Sequence, residues 1–98
     1  MTSNLPSQCR FDKDANAVRF YVESGGRTVE CLVDVEYLKC KHGLPPDPDA
    51  NTAEKLVEGL SCITDETKEI IVAGQPEPVL LTSLTLQSAR EMNKARKA

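Results

Sequence analysis

Tryptophan is absent, aromatic residues make up only 4% of the chain, and histidine occurs once, as His42. No apolar run approaches the ~18 residues that a membrane-spanning helix needs. The first residues, MTSNLPSQ, lack both the basic start and the apolar stretch of a secretory signal. A cytoplasmic protein with no membrane association is therefore expected. Close cysteine pairs are missing too. Cys9, Cys31, Cys40 and Cys62 are nowhere within four residues of one another, whereas structural zinc sites usually draw on pairs spaced C-x2-4-C. An even count would permit two disulfides, but in the cytosol thiols stay reduced, and four free cysteines are expected. No third glycine follows Gly25-Gly26 at dinucleotide spacing and no helix follows it, which favours a hairpin turn over a phosphate-cradling loop.

The chain has 98 residues, 40% of them hydrophobic and 28% charged, with a net charge of −3. That is one domain, residues 1–98, with ordinary soluble composition and room for one core but not for a deep internal pocket. Residues 1–7 are expected to be a flexible N-terminus. Residues 88–98 are expected to form a basic helix that frays at its end. Arg90, Lys94, Arg96 and Lys97 stand there against Glu91 alone, and the rest of the chain is acidic. A mildly acidic body with a short basic tail is not the charge pattern of a protein that coats nucleic acid.

The first third reads as strands. Cys9 and Phe11 fall on one face, and Asp12 to Asn16 is dense in turn formers. In AVRFYVE, Val18, Phe20 and Val22 alternate with Arg19, Tyr21 and Glu23; in TVECLVD, Val29, Cys31 and Val33 alternate with Thr28, Glu30 and Leu32. Gly25-Gly26 between them suits the positive φ of a tight hairpin turn. Asp34 is placed to cap a short helix, VEYLKCKH, with Gly43 in the left-handed position after it. LPPDPDAN cannot be regular structure, since three prolines remove donors and bias their predecessors away from helix. One long helix is then expected from a cap at Asn51 or Thr52 to a stop at Gly74. Its buried stripe is Leu56, Leu60, Ile63, Thr67 and Ile70, and Gly59 inside it costs about 1 kcal/mol relative to alanine. VLLTSLTL reads as a buried strand, central in the sheet or part of an interface, and Ser83 or Thr85 as the cap of a last helix. The order β-β-β-α-α-β-α predicts an α+β fold, an antiparallel sheet of about four strands with helices packed on one face.

DANAVRFYVESGGRTVECLV, the short helix after it, the central helix and EPVLLTSLTL together cover most of Phe11 to Leu86. In these segments the chain resembles the small bacterial family catalogued as domain of unknown function 1488. The resemblance implies a strand hairpin, helices and a late apolar strand. Its motifs are structural, so it implies no functional residue.

Chemistry-bearing residues are few. Cys40-Lys41-His42 supplies the weak candidates for a metal, Cys40 and His42. The alternative for His42 is a surface imidazole interacting with the negative end of its helix. Cys40 and His42 are two apart in a helix and point in different directions, which argues against a thiol–imidazole dyad. Asp47, Asp49 and Asn51 lack the central glycine and terminal glutamate of a calcium loop. No catalytic residue and no cofactor is expected. The reading is a non-catalytic protein-interaction or regulatory module whose partner is a protein, including a second copy as a homodimer. The alternative is a nucleic-acid-associated factor using Arg90, Lys94, Arg96 and Lys97; a small thiol-dependent or metal-binding protein ranks third.

Overall fold

The computed structural model describes residues 6–97, with side chains to Ala95. Three strands come first: β1 (Ser7–Asp12), β2 (Ala17–Ser24) and β3 (Arg27–Asp34). They form an antiparallel meander. The β2–β3 turn is the expected one: Ser24 pairs with Arg27, and Gly25 and Gly26 take φ of 61° and 80°, the signs that a two-residue turn of matching twist requires. The β1–β2 turn is locked by Asp12, whose Oδ1 accepts the N–H groups of Asp14 and Ala15 at 3.1 and 3.2 Å. Of the N-terminus expected to be flexible, Pro6 is buried and Ser7 already belongs to β1; residues 1–5 lie outside the described part.

Helix α1 (Val35–His42) follows β3 directly. Asp34 sits at its N-cap but makes no side-chain cap hydrogen bond. The Val35 N–H donates instead to the Asn16 carbonyl at 3.0 Å, so the β1–β2 turn does the capping. Gly43 ends the helix at φ 72°, and the Leu44 N–H closes it on the Leu38 carbonyl.

The long central helix is two helices, α2 (Ala50–Glu58) and α3 (Ser61–Val72). Gly59 stops the first, and Leu60 at φ −111°, ψ 96° leaves the helical region before the second begins. Helix propensity at glycine is low enough that packing decides there. The break lets α2 lie along β1 while α3 packs on β4 and α4. The cap of α2 is Asp49, whose Oδ1 accepts the Thr52 N–H at 2.7 Å; neither Asn51 nor Thr52 holds that place.

Strand β4 is short, Val79–Leu81, and α4 (Ser83–Lys97) starts two residues later. The eight-residue strand expected from VLLTSLTL is cut by Thr82. This residue's Oγ1 accepts the Thr85 N–H at 3.1 Å while the Thr82 N–H donates to Thr85 Oγ1 at 2.8 Å. That reciprocal pair starts a helix inside a β-branched run, at Thr82 rather than at Ser83 or Thr85. β4 pairs with β3 in parallel, Leu32 opposite Leu80, and the sheet order is β1-β2-β3-β4. The sheet is thus mixed rather than wholly antiparallel: a strand reached through a helical crossover arrives parallel to the one it left. β4 is an edge, not a centre.

Both edges are partly covered. Glu54 of α2 accepts the Phe11 N–H of β1 at 2.7 Å, and Thr85 donates to the Leu80 carbonyl of β4 at 2.8 Å. Each occupies a backbone group that an incoming strand would use.

The core face carries Val18, Phe20, Val22, Val29, Cys31, Val33, Val79 and Leu81 against Leu38, Val57, Ile63, Ile70, Leu86 and Ala89. Leu32, expected to face outward, is buried as well, between its cross-strand partners Arg19 and Leu80. Among the described residues no helix is long and apolar enough to cross a membrane.

Candidate functional site at the α1–α3 junction

The chain reversal at Gly43 places the C-terminal end of α1 beside α3, and the polar residues there meet. The Tyr37 hydroxyl donates to Glu66 Oε1 at 2.8 Å. His42 Nε2 lies 3.7 Å from the same oxygen, with the imidazole set edge-on to the Tyr37 ring at a centroid separation of 5.6 Å. The His42 side chain is only 12% exposed and that of Glu66 18%, so His42 is not the surface residue its helix-end position suggests. Its Nε2 is buried and has no hydrogen-bond partner among the described residues: 3.7 Å is beyond a hydrogen bond.

The carboxylate also acts on the thiol of Cys62 and on Tyr37 itself. Burial first, then Glu66, push the Cys62 thiol up. Burial and the hydrogen bond to Glu66 hold the Tyr37 hydroxyl protonated well above the ordinary phenol range. Arg90 reaches in from α4, its Nε and Nη2 donating to the two oxygens of Glu69 at 3.0 and 3.2 Å. That two-pronged contact raises the guanidinium further. Asn93, one turn on, donates to the Glu69 carbonyl at 3.0 Å, so Glu69 holds α4 onto α3 through both its side chain and its backbone.

The sequence candidates thus separate. His42 joins Glu66 and Tyr37, while Cys40, two residues earlier, is exposed on another side of α1. Among the described residues no group of three or more histidine, cysteine, aspartate or glutamate side chains gathers as metal ligands. Arg90 is engaged by Glu69, and Lys94 is exposed. The side chains of Arg96 and Lys97 lie outside the described residues. Sequence reasoning passed over Tyr37 and Glu66, which are 29 residues apart; they meet only because the tertiary fold brings their side chains within reach, and no spacing rule signals that.

Chemically, the site is a half-buried carboxylate shared by a phenol and an imidazole. The nearby thiol of Cys62 is raised rather than lowered, the reverse of what activates a cysteine nucleophile. Its strongest physical property is therefore mechanical, a joint between α1 and α3. Tyr37→Phe leaves Glu66 half-buried without its donor and is expected to cost about 1.5–3 kcal/mol, the range for hydrogen bonds to charged groups. Urea unfolding measures it, and a loss below ~0.5 kcal/mol would mean that water replaces the tyrosine hydroxyl freely. Comparison with protein-family models, with curated proteins and with solved structures finds no match for this chain.

Proposed function

We propose that the protein is a non-catalytic interaction module that binds another protein through the corner formed by α3, β4 and α4. One observation carries this reading. Among the described residues, the large apolar side chains left exposed are Val72 (57%), Leu80 (49%), Leu84 (77%) and Met92 (46%), and all four lie on these three mutually packed elements. Scattered surface leucines need no explanation, but exposed apolar groups gathered on adjoining elements favour an interface. Two features support the non-catalytic part. Cys9 and Cys31 are buried, and at the α1–α3 junction Tyr37 and Glu66 are engaged with each other. The nucleic-acid alternative is weaker: its first residue, Arg90, is spent on Glu69.

Cross-linking mass spectrometry on the untagged protein in its own host tests the proposal, comparing the native chain with Leu84→Glu and with Leu80→Glu. A protein partner, including a second copy of this chain, should cross-link through the exposed Lys94. Each substitution should reduce that product about tenfold or more, the scale of an interface anchor. Undiminished cross-linking in both variants would remove this corner from the account.

A further inference from the structure

The opposite edge of the sheet holds a second feature. Ser7 stands opposite Tyr21 and Arg10 opposite Arg19, so Gln8 and Cys9 together span the place that Phe20 alone takes on β2. Gln8 takes φ of 53° to make this bulge, a conformation that side chains other than glycine seldom adopt. The bent strand opens a pocket of about 350 Å³ lined by Gln8, Cys9, Arg10, Arg19, Tyr21 and Glu58, within the size range of small-ligand sites.

The charges in this pocket are not balanced in pairs. Arg19 is compensated, 3.0 Å from Asp12 and 3.3 Å from Glu30. Arg10 stands directly across from it, a like-charge pairing that is unfavourable across a sheet. The Arg10 side chain makes no hydrogen bond or ion pair among the described residues. Glu58, at the C-terminal end of α2, makes none either. The two line one pocket with opposite sign, and they do not meet. Burial first, then Glu58 and Glu54, push the thiol of the lining residue Cys9 up to about 12. The lining therefore carries a guanidinium and a carboxylate that are not paired with each other. Tyr21 and Gln8 add neutral hydrogen-bonding groups to the same lining.

We propose that this pocket binds a small zwitterion of the α-amino-acid class, its carboxylate received by Arg10 and its ammonium by Glu58. A ligand bearing both signs supplies an anion to Arg10 and a cation to Glu58, which line one pocket without pairing with each other. The polar lining favours a polar side chain on the ligand. The site lies at the β1 edge, away from the α3–β4–α4 corner, and does not depend on the interaction proposed there.

Isotope-labelled full-length protein, titrated by two-dimensional NMR with each common L-α-amino acid in turn, tests the idea. Acetate and methylamine serve as single-charge controls. The expected result is saturable movement of the Gln8, Arg10, Tyr21 and Glu58 amides with at least one amino acid. Neither control should reproduce it at the same concentration. Arg10→Gln and Glu58→Gln should each weaken that binding about tenfold or more. Both residues are exposed, and unmoved amide signals elsewhere establish that the variants remain folded. The proposal is overturned if no amino acid moves these amides saturably. It is overturned equally if acetate or methylamine alone matches the amino acid, or if binding survives either substitution unchanged.

Discussion

Iodoacetamide at mildly alkaline pH labels Cys40 first and Cys31 last, and Cys31 in the native chain reacts at least about a thousandfold more slowly than in the denatured chain. Cys40 is exposed on α1, whereas Cys31 is fully buried in the middle of β3. Burial is the largest cause of its shift. Glu77 and Glu30 add to it, and the thiol is pushed from the ordinary 9.0 up to about 12. Only the thiolate reacts, and three decades in ionisation are a thousandfold in thiolate. Steric exclusion adds to that figure. Cys9, pushed up to about 12 chiefly by burial, behaves similarly, and the half-buried Cys62 falls between. The pH profile gives the same information with a definite sign. An unfolded thiol ionises near 9 while these folded thiols stay protonated to about 12. Between those values the unfolded state binds fewer protons, so stability falls as pH rises through this window. Site-resolved mass spectrometry of the labelled chain reads the order. Labelling of Cys31 at the rate of Cys40 would mean that β3 is not a central strand.

The second large effect concerns Phe20. It is the largest fully buried side chain, at the middle of β2, the strand that pairs with both β1 and β3. Phe20→Ala is expected to cost about 3–5 kcal/mol, from lost transfer free energy and from the cavity left behind. A domain of this kind has only about 5–15 kcal/mol of total stability, so the urea midpoint should drop steeply with little change in slope. The bulge makes this position exacting. Gln8 and Cys9 already span the place opposite Phe20, so the backbone around the ring has little freedom to collapse into the void. A loss below ~1 kcal/mol would show that this part of the core repacks easily, against the close packing normal for protein interiors.

The hairpin was legible because its two signals agree. Alternation over Val18–Val22 and Val29–Val33 sets the buried face, and Gly25-Gly26 permits the only turn that keeps both registers. The stop of α1 at Gly43 was legible for the same reason, since a left-handed residue has one cheap choice. The break at Gly59 was not. The apolar stripe runs unbroken through Leu56, Leu60 and Ile63, and periodicity carries no notice of where a helix must turn to reach a different partner. Thr82 likewise ends a run that β-propensity would continue. Its cap depends on the hydroxyl of Thr85 arriving three residues later, and that local competition is weak in sequence terms.

The functional features divide along the same line. By itself the chain determined its class, its strand faces and the absence of paired metal-ligand spacings, because each of these depends on neighbours within a few residues. The tertiary structure alone decided that Glu66 lies under Tyr37 and His42, and that Glu69 takes Arg90 out of the basic tail. It also decided that Arg10 and Glu58 face one pocket without meeting. Each of these is a juxtaposition of elements far apart in sequence. Charge and hydrogen-bond partnerships at that range are set by how helices cross a sheet, and no local pattern records the crossing.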